Sequence, residues 1–135
     1  MALYRDLRDD ERELIRSYVT RASDTLSGRA LSFATLQTLY DDLLADAEPA
    51  TDDVMVVGYA FGELLATAPD LDWAWMMDDE YGDEPAVVVI GKSLGCTPLS
   101  MIRARIEDRE GWDLAELADA TVQTLRMHAS EAGNA

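Results

Sequence analysis

The chain has 135 residues, of which 27 are Asp or Glu and 11 are Lys or Arg, so its formal net charge is −16. This charge, with no basic stripe along the chain, argues against binding to a nucleic-acid backbone or to an acidic membrane surface. Hydrophobic residues make up 48% of the sequence, enough for a packed core, and the single cysteine, Cys96, excludes an internal disulfide.

The acidic residues are concentrated in the middle of the chain. Between Ala30 and Gly91 there is no Lys or Arg, whereas 14 residues are Asp or Glu. The N-terminus carries no apolar signal region, and the longest uncharged run in a helical pattern, Val54–Gly62, has nine residues, too few to span a bilayer. We therefore expect a cytoplasmic protein whose acidic middle gives solubility or contacts a basic protein partner.

Three helices are predicted in the first half. The first covers Asp9–Ser27, with acidic residues in its first turn and an apolar stripe that includes Leu14. The second begins at a Ser32 cap and ends before Pro49. The third begins at Thr51 and ends before the next proline.

Two glycines stand four residues apart in the third predicted helix, Gly58 and Gly62. Each lowers helix stability by about 1 kcal/mol relative to alanine, so their presence needs a compensating reason. A residue without a side chain allows another element to approach closely. We therefore expect this helix to be the buried centre of the fold.

Residues 72–90 contain the strand-like part of the sequence. Trp73 and Trp75 fall on one face of the first predicted strand, and we expect both to belong to the core. An acidic turn at Asp78–Asp83 leads into a return strand at Ala86–Ile90, and a third short strand is predicted at Ser93–Cys96.

Two more helices are predicted, one starting at Thr97-Pro98 and one opened by Asp113. The fold class is therefore α+β, with about five helices around a small antiparallel two- or three-stranded sheet. We expect a single domain over 1–135, with an N-terminal helical pair at 1–50, an α+β core at 51–130 and a frayed tail at 131–135.

One pattern suggests a serine hydrolase. Gly91–Gly95 reads G-x-S-x-G around Ser93, and Asp113 and His128 follow in the serine, acid, histidine order. That mechanism needs a strand-to-helix elbow in a parallel sheet, and no earlier strand–helix unit is predicted. A turn between two antiparallel strands is the favoured interpretation, and a small hydrolase using Ser93 and His128 is an alternative.

The acidic turn suggests a second alternative, a carboxylate-based divalent cation site. Its candidate ligands are Asp78, Asp79, Glu80, Asp83 and Glu84. Oxygen ligands suit hard cations, but the residue spacing of a calcium loop is absent, and acidic residues are common in exposed turns. No pattern implies a metal or an organic cofactor.

Several segments together resemble the bacterial family called domain of unknown function 3806. They are Gly58–Leu65, Trp73, Asp79–Gly82, Pro98–Ile102 and Arg105–Gly111. The resemblance covers roughly residues 51–120 and implies a small α+β module without an established activity. The family pattern has a basic pair near Arg105, and Ala104 occupies its first position here.

The favoured function is a non-catalytic binding module that uses the acidic turn together with nearby aromatic and basic side chains. Arg103, Arg105 and Arg109 alternate with Glu107, Asp108 and Glu110, a pattern typical of a charged surface. The alternative is that Arg105 lies on the inner face of its helix and pairs with a turn carboxylate such as Glu80. The candidate binding residues are Trp75, Asp79, Glu80, Tyr81, Arg103 and Arg105.

Overall fold

The computed structural model describes residues 2–80 and 82–133, which form an α+β fold as predicted. The elements are β1 (Ala2–Arg5), α1 (Asp9–Thr25), α2 (Phe33–Ala45), α3 (Thr51–Leu65), β2 (Leu71–Asp78), β3 (Gly82–Val89), β4 (Gly95–Cys96), α4 (Pro98–Glu107) and α5 (Leu114–Gly133). Among these residues, no helix is both long and apolar enough to cross a membrane. Asn134 and Ala135, the end of the predicted tail, lie outside the described part.

The sheet has four antiparallel strands in the order β1-β2-β3-β4, one more than the largest number predicted. The additional strand is β1, whose Ala2 lies opposite Asp78 and whose Arg5 lies opposite Trp75. Four residues are too few to show the alternation by which a strand is recognised in a sequence. Pairing with β2 makes this segment a strand.

The helix starts follow the local signals in the sequence. The Ser32 Oγ accepts a hydrogen bond from the Thr35 amide at 3.1 Å, and Pro98 is the first residue of α4. The first helix ends at Thr25, two residues earlier than predicted. The prediction that Leu14 belongs to the buried apolar stripe of α1 was wrong. Its side chain is 43% exposed because it lies away from α3 and the core.

Helix α3 is the buried centre of the fold, as its glycines predict. A Cβ atom added at Gly58 would lie 2.8 Å from the Cδ2 atom of Leu99 in α4. A Cβ atom added at Gly62 would lie 2.2 Å from the Cη2 atom of Trp73 in β2. Gly58 and Gly62 lie on the same face of α3, and the absence of both side chains lets α4 and β2 pack closely against that face. Trp73 is buried as predicted, whereas Trp75 is half-buried.

Candidate functional site

The acidic turn lies at the end of the β2–β3 hairpin. Asp78 lies opposite Gly82, which has a φ of +87°, and the Asp78 Oδ1 accepts a hydrogen bond from the Glu80 amide at 2.8 Å. Asp79 and Glu80 are exposed, and Tyr81 lies outside the described residues. The hairpin therefore presents these two carboxylates to solvent, together with the exposed Asp83 at the start of the return strand. We call Asp79, Glu80 and Asp83 the hairpin end.

Trp75 lies beside the hairpin end but is partly covered. The Cζ atom of Arg5 is 5.4 Å from the centre of the Trp75 ring, within the range of a cation–π contact. The same guanidinium donates to both carboxylate oxygens of Glu11, each at 2.7 Å. Glu11 also accepts from the Arg8 amide at 2.7 Å, at the start of α1. Arg5 thus joins the sheet to α1 across the face of Trp75.

These contacts alter the acidity of Glu11. The hydrogen bonds from Arg5, followed by the one from the Arg8 amide, stabilise the ionised carboxylate against the opposing effect of partial burial. They lower the pKa of Glu11 to about 2. Arg5 is therefore held chiefly by Glu11, and within the hairpin end its charge also interacts with Asp83. Asp79 and Glu80 form no ion pair with a described arginine.

Arg105 does not make the expected contact with Glu80. Its Nη1 donates to the main-chain carbonyl of Met101 at 3.1 Å, and its Cζ lies 5.1 Å from the centre of the Trp112 ring. After α4 the chain reverses through Arg109, which has a φ of +57°, and this reversal brings Trp112 over the arginine. Arg105 therefore contacts Trp112, seven residues later in the chain, in place of the predicted ion pair with Glu80.

Arg103 is exposed and is linked to the hairpin through a serine. The Ser100 Oγ donates to the Glu84 Oε1 at 2.7 Å, and the Arg103 Nη2 lies 3.5 Å from the same Ser100 Oγ. The predicted site residues therefore fall into two groups. Trp75 lies within β2 and Asp79 and Glu80 lie in the turn after it, whereas Arg103 and Arg105 lie on α4. The hydrogen bond between Ser100 and Glu84 connects α4 to the hairpin.

Arg103 also lines a cleft between α3 and α4 that sequence reasoning missed. Its volume is about 340 Å³. The apolar lining consists of Pro49, Val54, Met55, Leu99 and Ile106, and the polar lining includes Arg103, Glu107 and Arg109. The glycine at position 58 indicated that α3 meets another element, but no local signal showed that this element is α4.

The connection between α4 and α5 is held to α2 by buried and charged side chains. The guanidinium of Arg109 donates to the main-chain carbonyls of Leu44, Asp46 and Ala47, at the end of α2. The hydroxyl of the buried Tyr40 donates to the Glu110 carbonyl at 2.6 Å. These contacts give the Arg109-Glu110 part of the sequence pattern a structural role.

The structure does not support a serine nucleophile at Ser93. This residue is exposed in the turn between β3 and β4, two antiparallel strands, and not at a strand-to-helix elbow. His128 is exposed on α5, and its Nδ1 lies 3.3 Å from the Glu131 Oε2. Burial raises the pKa of Cys96 to about 12, which also makes that thiol a poor nucleophile.

The candidate cation ligands are dispersed. Glu84 turns to Ser100, and Asp78 accepts from a turn amide. Within residues 2–80 and 82–133, no group of three or more His, Cys, Asp or Glu side chains is arranged to hold a metal ion.

The chain belongs to the family described as Domain of unknown function (DUF3806), whose model matches residues 32–117. This match extends the resemblance seen in the sequence to include α2. No curated protein matches the sequence. A crystal structure from Bacteroides thetaiotaomicron VPI-5482 has a similar fold, with a TM-score of 0.72 and 13% sequence identity. The similarity covers 90% of this chain and 47% of the other, so this chain spans about half the length of that protein.

Proposed function

We propose that this protein is a non-catalytic interaction module that holds a basic protein partner at the hairpin end. The proposal rests on the small number of arginine partners for the acidic residues of the middle segment among the described residues. Asp78 has its own interactions, which leaves 13 of the 14 carboxylates between Ala30 and Gly91, and two of these 13 lie within 4.0 Å of an arginine nitrogen of a described residue. They are Asp52, near Arg21, and Asp70, near Arg126.

The hairpin end is favoured because its negative charge is concentrated and is only partly offset, by the interaction of Arg5 with Asp83. Asp79, Glu80 and Asp83 fall within five residues of one another and are exposed. The neighbouring Arg5 is bound through two hydrogen bonds to Glu11. An exposed group of like charges raises the local potential and attracts a partner of opposite charge.

The small energy of each ion pair with a basic partner determines how binding should depend on salt. An ion pair between exposed side chains contributes little by itself, about 0.2–1 kcal/mol, so several must act together. Their attraction is also screened by salt, since the Debye length falls from about 10 Å at 0.1 M to about 3 Å at 1 M. Binding at the hairpin end should therefore weaken steeply as salt is added.

The experiment is capture of partners from a native lysate on the immobilised protein, in low salt of about 0.05 M and high salt of about 0.5 M. We expect a basic protein to be retained in low salt and released in high salt. The double variant Asp79→Asn with Glu80→Gln should retain about 2- to 30-fold less of it, from two lost exposed contacts.

The matched control is Asp24→Asn with Asp42→Asn, two exposed carboxylates outside the hairpin. This variant changes the net charge by the same amount and should retain the partner. Capture of nothing in either salt condition would contradict the proposal. Equal losses from the two variants would show that net charge acts, and not the hairpin end.

A further inference from the structure

The cleft between α3 and α4 has the dimensions and the surface of a small-molecule site. Its volume of about 340 Å³ lies at the lower end of the range of about 300–1,000 Å³ that is usual for such sites. Val54 and Met55 on α3 and Leu99 and Ile106 on α4 supply apolar contacts. An apolar group of a few carbon atoms would bury its surface against these side chains.

The charges at the cleft are opposite to those of the protein as a whole. Two guanidinium groups, those of Arg103 and Arg109, line it against one carboxylate, that of Glu107. The protein has a net charge of −16, and its middle segment has no basic residue, so this local excess of positive charge is unusual for the chain. Charge complementarity therefore selects an anionic occupant.

The two arginines are available to different degrees. Arg109 is held by its hydrogen bonds to carbonyls at the end of α2, so it contributes a charge in a fixed position. Arg103 is exposed, and its contact with Ser100 is long, at 3.5 Å. Its guanidinium therefore has N–H groups free to donate two parallel hydrogen bonds to a carboxylate, the geometry that arginine favours.

We infer that this cleft binds a small apolar carboxylic acid, with its hydrocarbon part between α3 and α4 and its carboxylate on Arg103. The inference is independent of the proposed function, because the hairpin end attracts cations and the cleft attracts an anion. It also requires no contact with Asp79 or Glu80.

The test uses octanoate as the probe, with binding followed by calorimetry and by NMR of the methyl groups that line the cleft. We expect octanoate to shift the methyl resonances of Val54, Met55, Leu99 and Ile106. Octyltrimethylammonium, which has the same chain length and the opposite charge, should not shift them. The peptide Ala-Ala-Leu with a free carboxylate tests the other source of an apolar carboxylate, a chain terminus.

Arg103→Gln should weaken octanoate binding about 10-fold, the loss expected for a charge-assisted contact at a partly exposed site. Arg103→Lys keeps the charge and should recover part of the affinity. The matched control is Arg12→Gln, an exposed arginine of α1 that does not line the cleft, and it should bind octanoate normally.

Four results would overturn the inference. The first is that octanoate does not shift the methyl resonances of the cleft, and the second is that octyltrimethylammonium shifts them equally. The third is that the folded Arg103→Gln variant binds octanoate with unchanged affinity. The fourth is that the peptide binds and octanoate does not. Asp79→Asn with Glu80→Gln should leave octanoate binding unchanged, so the test does not depend on the role of the hairpin end.

Discussion

The two ends of the β2–β3 hairpin differ in how their side chains are used. At the base, Trp73 packs against Gly62 of α3, and Asp70 just before β2 binds Arg126 of α5 through two hydrogen bonds of 2.8 Å. At the hairpin end, Asp79 and Glu80 are exposed, without an ion pair to any described residue. The same pair of strands thus has one end that stabilises the fold and one end whose carboxylates are exposed to solvent.

The comparison of the two ends separates charged residues that make internal contacts from charged residues that are candidates for binding. Asp70 is acidic and close in sequence to the hairpin, but its pKa is lowered chiefly by the hydrogen bonds from Arg126, so it is an internal contact. Arg109 belongs to the family-like segment and likewise caps α2. Charge in a sequence marks a candidate surface, and the presence or absence of an internal partner decides its use.

The largest effect is expected at the base, from Gly62→Ala. Alanine adds about 1 kcal/mol of helix stability, but its Cβ would lie 2.2 Å from Trp73 Cη2 and 2.9 Å from Pro98 Cγ. Overpacking typically costs about 1–3 kcal/mol, and we take the upper end because two neighbours would lie within 3 Å of the added Cβ. A cost of about 3 kcal/mol less the helix gain of about 1 kcal/mol leaves a net loss of about 2 kcal/mol in the free energy of unfolding in urea. Gly111→Ala is the control, since nothing lies within 4 Å of its added Cβ. Equal stability of the two variants would contradict the close packing at the base.

A smaller effect concerns Glu11, the partner of the arginine beside the hairpin end. Its pKa is lowered from 4.5 to about 2 in the folded protein, so the unfolded chain binds its proton more readily. The stabilisation is therefore present above about pH 4.5 and is lost as the pH falls toward 2.

Urea unfolding of Glu11→Gln across this range should show a weaker dependence on pH than the wild type does. The variant Asp79→Asn with Glu80→Gln should keep the wild-type dependence. A Glu11→Gln variant that loses stability in acid as steeply as the wild type would show that the Arg5 contact is not formed in solution.

Arg126→Gln should have a modest effect, because the ion pair with Asp70 is half-exposed, with side-chain exposures of 51% and 38%. Exposed pairs contribute little to stability, and we expect the melting temperature to fall by about 2 °C. Calorimetry at low and at high salt measures this. The difference from the wild type should shrink in high salt, and an unchanged difference would argue for a packing role of Arg126.

The smallest effect is expected at the hairpin end. Asp79→Asn with Glu80→Gln removes two exposed charges without removing an ion pair, so the free energy of unfolding should change by less than about 0.5 kcal/mol. Chemical denaturation beside Asp24→Asn with Asp42→Asn provides the measurement. A loss above about 1 kcal/mol would give the hairpin end an internal role and remove the support for the proposed function.

The sequence by itself determined the features that depend on neighbouring residues. Ser32 and Pro98 mark helix starts because capping acts within one turn, and the β2–β3 hairpin follows from its aromatic and β-branched residues and the glycine in its turn. The glycine pair at 58 and 62 predicted a buried helix, because an unfavourable helix residue needs a packing reason.

The tertiary structure alone decided which distant segments meet. Residues 2–5 became a strand only by pairing with β2, and Arg105 turned to Trp112 because the chain reverses at Arg109. The cleft brings together α3 and α4, which are more than 30 residues apart in the chain. Short-range hydrogen bonding and periodicity can be read along a chain, whereas the partner of a side chain depends on contacts that exist only after the whole chain has packed.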